Sequence, residues 1–319
     1  MLWSRRDFLW GLAGVLSFPL MGGCSKSLPC RIAAHPWPGY ELMFLARDEG
    51  WIRESLAVEL CETRSATESL ALLREGKADG AALTLDEVLR ARDEGISLTV
   101  VLVFDVSAGA DVIMATPKIK QLQDLKGQTV GVEKSALGAY MLHLALREAN
   151  LSEAQVKVHA LPVDQQLDAC RCADAFVTYE PVATRLEKAG MHRLFDSRQI
   201  PAAIFDVLAV KESVLNRHRL ALQGMTQGYF RALEHFRRNP YDAAFRMTSR
   251  IPLSADEILG GFRGLDLPNL VQNRHFLSGK KSNLLQAAKK MSDVMVSAGL
   301  LNAPASLHRL VSATYLPRG

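Results

Sequence analysis

Apolar and polar positions follow two alternating periods between residues 31 and 104. Short apolar runs predict strands at 31–35, 57–61, 80–83 and 98–104. Helical spacing between these runs predicts helices at 41–49, at about 65–76 and at 85–94, each ending at or beside a glycine. Strands that alternate with helices in this way are typical of a parallel sheet with helices on its faces.

The same alternation restarts in a second unit. Strands are predicted at 129–132, 157–160 and 175–178, and a helix begins at Ser135. The segment 78–86 has an echo at 173–180, since both contain an Asp, an apolar strand, a Thr and then a carboxylate. Two similar α/β lobes would explain the echo, and chance similarity is the alternative.

Helical patterns dominate the chain after Glu212. Helices are predicted at 217–237, 241–247, 255–259 and 284–299, with Asn239-Pro240 and Ile251-Pro252 between them. We expect this helical C-terminal tail to pack on the first lobe.

The first 23 residues have the pattern of an export signal. Arg5 and Arg6 precede an apolar run that ends at Leu20, and this run is shorter than the roughly 20 residues that a spanning helix needs. The paired arginines resemble the twin-arginine signal. Cys24 follows two glycines, as in a lipobox, and is the predicted lipidation site; the alternative is a plain cleaved signal with an incidental cysteine. Either pattern predicts a protein that works in the periplasm or on the outer face of the cell membrane.

Composition excludes several other classes of protein. The chain is 48% hydrophobic and 23% charged, as in ordinary globular proteins, and its net charge is +4. No basic run of five residues is present, which argues against a nucleic-acid partner. The remaining cysteines are Cys30, Cys61, Cys170 and Cys172. They form no C-x2-C pair, so the sequence predicts no zinc site and no cofactor, while a disulfide stays open.

Several short passages together resemble one family. They are 46–52, 76–81, 109–113, 124–132 and 179–181. In this order they resemble the periplasmic substrate-binding proteins of ABC importers, in the group that binds nitrate, sulfonates, taurine and thiamine precursors. The resemblance implies a type II periplasmic binding protein of class α/β, with two lobes of mostly parallel sheet. Lobe I would comprise 24–112 and 206–319, and lobe II 113–205. It further implies a monomer that closes over a small molecule by hinge motion and delivers it to an ABC permease.

Ligands of parallel sheets bind beyond the carboxyl ends of the strands, where helices begin. The candidate ligand-binding residues at such positions are Trp37, Gly39, Tyr40, Thr84, Asp86, Asp111, Ser135, Ala136, Leu137, Gly138, Tyr179, Glu180 and Asp206.

Each group of candidates has a proposed role and a structural alternative. Trp37 and Tyr40 suit stacking on a ligand, although Trp37 would equally plug the core. Thr84 is placed to cap a helix. The backbone N–H groups at 135–138 suit an anionic group. Asp111 would hold either the ligand or the hinge, and Glu180 would pair with an amine, cap a helix or bridge the lobes.

The balance of charge around these loops is acidic. The nearby acids are Glu41, Asp86, Asp111, Glu133, Glu180 and Asp206, and Lys134 is the base close to them. Because an unpaired buried carboxylate is costly, such a cleft favours a cationic ligand. We therefore expect a small amine, a zwitterion or a nitrogen heterocycle.

Two other functions share this fold. An enzyme, such as one of thiamine-pyrimidine synthesis, would need a poised base or nucleophile in the cleft. His35 is the nearest candidate, and a single histidine at a strand end is more typical of a structural role, so the sequence predicts no enzyme activity. A sensory binding protein that signals to a membrane receptor would have the same two lobes.

Overall fold

Two sheets covered by helices make up the described part of the chain. The computed structural model describes residues 28–133, 136–169, 171–180, 182–279 and 282–318, with the backbone alone at 136 and 164. The predicted export signal, Cys24 and Ser135 lie outside the described residues.

The first sheet has six strands. They are β1 (Cys30–Ala34), β2 (Val58–Glu62), β3 (Gly80–Thr84), β4 (Leu98–Ser107), β10 (Phe205–Lys211) and β11 (Leu265–Asp266), in the spatial order β11-β4-β10-β3-β1-β2. The first four strands share one direction, because β1 pairs in parallel with β2 and β3, and β10 runs antiparallel between β3 and β4. The predicted parallel rhythm is therefore confirmed, with one returning strand inserted at the centre.

The second sheet has five strands. They are β5 (Asp111–Ala115), β6 (Thr129–Val132), β7 (Lys157–Ala160), β8 (Ala175–Tyr179) and β9 (His192–Asp196), in the order β7-β6-β8-β5-β9. The strands β6, β7 and β8 are parallel, and β5 runs antiparallel beside β8. We call the first sheet with its helices lobe I and the second lobe II. The chain crosses between them at 108–110 and 197–204; the predicted limits at 112/113 and 205/206 stay a prediction.

Ten α-helices flank the sheets in the described residues. They are α1 (Pro38–Asp48), α2 (Ala66–Arg74), α3 (Leu85–Asp93), α4 (Ala136–Glu148), α5 (Val182–Lys188), α6 (Arg219–Arg238), α7 (Pro240–Met247), α8 (Ala255–Gly261), α9 (Leu270–Leu277) and α10 (Asn283–Ser297). The helices α6 and α10 pack against α1 and α3, which confirms that the helical tail covers lobe I.

The core of lobe I is continuous from the sheet to the tail. The ring of Phe104 on β4 lies 5.0 Å from that of Tyr40 on α1 and 5.3 Å from that of Tyr229 on α6. Tyr229 donates a hydrogen bond of 2.9 Å from its hydroxyl to the carbonyl of Phe104, so the buried phenol is satisfied. This cluster fixes the first helix beneath the cleft.

The cysteines contribute no disulfide among the described residues. Cys30, Cys61 and Cys172 are free thiols. Cys170 lies outside the part of the chain that the structure describes. Burial raises the pKa of the Cys30 thiol to about 12, so it remains protonated and inert.

Candidate functional site

A small cavity lies between the two lobes where strands of both sheets end. This inner cavity has a volume of about 30 Å3. Lobe I contributes His35, Trp37, Ala66, Thr84, Glu87 and Asp206, and lobe II contributes Glu133, Leu137 and Tyr179. A neighbouring space of about 20 Å3 is bordered by Asp111, Gly138 and Thr178. The parallel topology therefore brings the predicted edges of the two sheets together, as expected for this architecture.

The structure places the sequence candidates in three groups. Trp37, Thr84, Leu137, Tyr179 and Asp206 line the inner cavity, while Asp111 and Gly138 border its neighbour. Gly39, Tyr40 and Asp86 are buried and do not line either space. Glu180 faces a larger pocket outside, the side chain of Ala136 is not described, and Ser135 lies outside the described residues. The ligand-binding roles of all of them stay predictions.

The two echoing segments occupy equivalent places. Thr84 ends β3, the third strand of the lobe I order from β2, and Thr178 lies on β8, the third strand of the lobe II order from β7. Both threonines are buried beside the interlobe cavities. Similar lobes are thus consistent with the echo in sequence.

Trp37 is held by a buried carboxylate. It precedes α1 in an extended conformation, and Pro38 starts the helix without needing an N–H donor. Its indole Nε1 donates a hydrogen bond of 3.0 Å to Asp105 Oδ2. Its ring also meets that of Tyr179 of lobe II edge to face, with centroids 5.4 Å apart. Trp37 therefore contacts both lobes at once.

Because Gly39 has no side chain, the carboxyl group of Asp105 can pack directly against the start of α1. A Cβ at Gly39 would lie 1.8 Å from Asp105 Oδ2, which is shorter than any non-bonded contact. The role of this residue in the structure is close packing of the helix start against the carboxylate that holds Trp37.

Asp206 lies beneath the inner cavity, at the end of the lobe I strands. We call the surface that it forms with Thr84 and Asp105 the acidic floor. Its strand places it opposite Thr84 on β3 and Asp105 on β4. Tyr40 donates a hydrogen bond from its hydroxyl to Asp206 Oδ1. Burial, followed by the charge of Asp105, raises the pKa of Asp206 well above its usual range. The raised pKa favours the protonated form of Asp206, and a cation that approaches the side chain would favour loss of this proton.

Four more buried acids surround this floor. Burial raises the pKa of Asp86 to about 6 and those of Asp105 and Asp111 to about 7. Burial, followed by the charge of Asp86, raises the pKa of Glu87 to about 8. Among the described residues, Asp111 Oδ2 has no hydrogen-bond partner. Carboxyl groups of this kind gain free energy from a cation placed among them.

His35 adds no positive charge to the cavity. It is half-buried, and desolvation lowers its pKa to about 4, so the imidazole is neutral near pH 7. No Lys or Arg lines the inner cavity or its neighbour within the described residues. The electrostatic character of the described walls is therefore acidic.

Two of the sequence-predicted acids have arginine partners. Arg250 pairs with Glu41, its Nε donating at 3.1 Å, and its guanidinium lies 3.9 Å from the centre of the Phe44 ring. Arg193 pairs with Glu180 and donates to the carbonyl of Gly109 at 3.1 Å. Both carboxylates are already neutralised, so they contribute less to an acidic cleft than the sequence suggests.

Sequence reasoning missed four residues of this region. A signal existed for Glu87, which follows Thr84 by three positions as in a capping box, and it accepts from the Thr84 N–H at 3.0 Å. Asp105 directly follows a predicted buried strand, at its carboxyl end. Arg193 and Arg250 gave no signal, because their partners are distant in sequence or follow no local spacing rule.

Two serines join the crossings between the lobes. The hydroxyls of Ser107 and Ser197 lie 2.7 Å apart, and the Gly109 N–H donates to Ser197 Oγ at 2.6 Å. The Asp111 N–H donates to Ser107 Oγ at 3.2 Å. Asp111 therefore lies at the hinge and beside the cavity, so both alternatives for this residue find support in its position.

The described residues contain neither a membrane-spanning helix nor a cluster of metal ligands. No helix in the ranges described is long and apolar enough to cross a membrane. No group of three or more His, Cys, Asp or Glu side chains in those same ranges is arranged to hold a metal ion.

Solved structures of binding proteins superpose on most of the chain. The periplasmic aliphatic sulphonate binding protein SsuA from Escherichia coli matches with a TM-score of 0.74 and 18% identity, covering 91% of this chain and 94% of its own. The ligand binding component of an ABC-type import system from Staphylococcus aureus matches with a TM-score of 0.72 and 16% identity, covering 90% and 98%. The alkanesulfonate-binding protein SsuA from Xanthomonas axonopodis pv. citri gives 0.71 and 15%, covering 92% and 99%. At these identities the likeness shows the fold.

Sequence comparison identifies the family. A search among curated proteins found no match. The family model described as NMT1/THI5 like matches residues 37–243, which is more than half of the chain and includes most of the cavity. The chain therefore belongs to the NMT1/THI5-like family, and it has the fold of the periplasmic solute-binding proteins of ABC import systems.

Proposed function

We propose that this protein is an extracytoplasmic solute-binding protein that captures a cationic small molecule between its lobes and delivers it to an ABC permease. The ligand is a small amine, a zwitterion or a nitrogen heterocycle. The observation that carries the proposal is the convergence of buried acids on a cavity whose described walls include no Lys or Arg.

Charge decides between a cation and an anion here. Two unit charges 4 Å apart interact by about 4 kcal/mol at an effective dielectric constant of 20. An ammonium group in the inner cavity would favour the ionised forms of Asp206 and Glu87, whose pKa values burial raises, whereas a sulfonate or nitrate would favour their protonated forms. The fold alone does not decide the ligand, since one architecture hosts many specificities.

Closure of the two lobes links binding of the ligand to recognition of the protein by the permease. Trp37 of lobe I and Tyr179 of lobe II border the inner cavity together, and the serine pair lies at the crossings. A ligand that touches both lobes stabilises the closed arrangement in proportion to its preference for it. A permease that recognises only that arrangement would then receive loaded protein.

The chain's place outside the cytoplasm follows from the predicted signal. Export by the twin-arginine route and lipidation of Cys24 stay predictions. Mass spectrometry of the mature N-terminus tests the lipidation, because a diacylated Cys24 changes the mass of the first peptide.

A thermal-shift screen tests the ligand class. Residues 25–319 would be screened against amines, nitrogen heterocycles, thiamine precursors, sulfonates and nitrate. Binding at a hundredfold excess over Kd adds about 2.7 kcal/mol of stability, a shift of roughly 2 °C or more. We expect shifts with amines or heterocycles. Shifts confined to sulfonates or nitrate would overturn the cationic assignment and keep the binding function.

A matched pair of variants sharpens the test. Glu87→Gln removes one buried acid from the cavity wall, and we expect it to weaken binding of a cation about tenfold. Glu59→Gln removes an exposed acid on β2 and should leave affinity unchanged. Equal effects of the two substitutions would mean that overall charge, not the cavity, attracts the ligand.

A further inference from the structure

A second and larger pocket lies against the same two aromatic rings. This outer pocket has a volume of about 300 Å3 and is lined by Trp37, Tyr179, Arg250, Leu253, Ile258 and Phe262, among others. Trp37 and Tyr179 also line the inner cavity. The two spaces therefore share the Trp37–Tyr179 pair as a common wall.

The charged groups of the outer pocket are already paired. Arg250 is bound to Glu41 and donates to Glu62 at 2.9 Å. Glu180 accepts from the Thr184 hydroxyl at 2.7 Å and is paired with Arg193. Glu257, at its rim, accepts from the Ser254 N–H at 3.0 Å. A charged ligand group would have to displace a partner of Glu41 or Glu180, whereas Glu257 is exposed and its charge is solvated.

The remaining walls of the outer pocket are apolar. Ile258 and Phe262 of the α8 region are buried, and Leu253 is half-buried beside them. With the faces of Trp37 and Tyr179 they form a surface suited to an uncharged hydrocarbon or aromatic group.

The inner cavity and the outer pocket differ in volume, and each volume suits a different part of one ligand. A volume of about 30 Å3 takes two or three water-sized groups, at about 10–15 Å3 for each, so it suits an ammonium group and is too small for a ring. A cavity of about 150 Å3 is known to take benzene, so about 300 Å3 holds a ring with a short chain. The acidic space is therefore matched to a charged head and the apolar space to a larger body.

We propose that the ligand is an amphiphilic amine, with its ammonium group in the inner cavity and its apolar or aromatic group in the outer pocket. The linking chain passes beside the edge-to-face contact of Trp37 and Tyr179, which forms the common wall of the two spaces. This inference rests on the proposed function and narrows its ligand class.

Calorimetric titration of four small compounds into the mature protein tests the inference. The compounds are methylamine, benzylamine, phenethylamine and benzyl alcohol. Each buried methylene adds about fourfold to affinity, so the aryl amines should bind at least about tenfold more tightly than methylamine. Benzyl alcohol, which lacks the charge, should bind at least about tenfold more weakly than benzylamine.

The outcomes distinguish this inference from the proposed function. If methylamine binds as tightly as phenethylamine, the outer pocket takes no part and the inference fails while the cationic site stands. If benzyl alcohol binds as tightly as benzylamine, the charged head takes no part and the two-part ligand fails. If no amine binds, both the inference and the cationic assignment fail.

Substitutions at Leu253 locate the apolar group. Leu253→Trp fills the outer pocket, and we expect about tenfold weaker binding of phenethylamine with methylamine unchanged. Leu285→Trp, in a surface groove beside α9 and α10, is the matched control and should change neither affinity. Leu253→Asn keeps the branched shape and the number of heavy atoms and adds polarity, so it should give the same selective loss if the larger variant does not fold. An equal loss for both amines in the Leu253 variants would overturn the inference.

Discussion

The hydroxyl of Tyr40 donates a hydrogen bond to the carboxylate of Asp206, and both residues are buried. The bond joins the first turn of α1 to β10, the strand by which the chain returns from lobe II. The acidic floor is therefore assembled within lobe I, and lobe II closes it from above with Tyr179 and Leu137.

Removing that donor should destabilise the protein more than removing an ordinary phenol. Tyr40→Phe leaves the buried carboxyl group of Asp206 without its donor, at a cost of about 1–3 kcal/mol. Tyr229→Phe is the matched control, because Tyr229 donates to a neutral backbone carbonyl instead. Urea unfolding at pH 8 would measure the difference. A larger loss of stability in Tyr229→Phe would contradict the expectation that Asp206, left without its donor, costs more free energy than the carbonyl of Phe104.

Trp37 should be needed for its N–H as well as for its ring. Trp37→Phe keeps an aromatic side chain against Tyr179 and removes the donor to Asp105, so we expect a loss of about 1–3 kcal/mol in the free energy of unfolding. Trp51→Phe, at a half-buried tryptophan beneath Arg231, serves as the control and should cost less. Equal losses would show that ring volume, and not the hydrogen bond, determines the effect.

The start of α1 should tolerate no side chain. Gly39→Ala would drive a methyl group into Asp105, and we expect a loss of at least about 1–3 kcal/mol together with weaker ligand binding. Gly260→Ala is the control, since a Cβ there meets nothing within 4 Å and alanine favours a helix. Thermal unfolding of both variants would test the contrast. A stable Gly39→Ala protein with normal affinity would mean that the helix start moves freely.

Ligand-free protein should lose stability as the pH rises. Burial raises the pKa of Asp111 to about 7, so between about pH 4 and pH 7 the folded protein keeps a proton that the unfolded chain has released. The stability that this retained proton contributes is fully present at low pH and is lost as the pH rises through about 7. Asp111→Asn should therefore flatten the change in unfolding free energy between pH 5 and pH 8, by on the order of 1 kcal/mol.

A second aspartate gives the control for this pH profile. Asp124 accepts from the Lys120 N–H at 2.8 Å, and this bond lowers its pKa, so it is ionised throughout the same range. Asp124→Asn should lower the free energy of unfolding by the same amount at pH 5 and at pH 8. The slope of the unfolding free energy against pH should therefore be unchanged. A slope in Asp111→Asn that equals the original one would show that Asp111 does not titrate in this window.

The sequence predicted local elements better than the contacts between them. The limits of β6 and β7 agree with prediction, because each strand is bounded by residues that suit turns, such as Gly127 with φ +77°. The helix α9 was missed because its apolar residues do not collect on one face. The helix α5 and the strands β5, β9 and β11 were missed as well.

The long-range partners of the site were beyond sequence reasoning. Nothing local indicates that Tyr40 meets Asp206, 166 positions away, or that Arg250 meets Glu41, 209 positions away. Both arginine partners lie in segments whose charges suggest solvated faces. The sequence therefore indicated where the strands of the sheets end, whereas the pairing of Glu41 and Glu180 with arginines depends on the folded chain.

The position of β10 between β3 and β4 has a consequence for the order of folding. The centre of the first sheet needs residues 205–211, so a nascent chain cannot complete lobe I until about two thirds of it has been synthesised. The second sheet, by contrast, uses one continuous segment, 111–196. Because contacts between distant residues slow folding, the second lobe should form first and the first lobe should follow it.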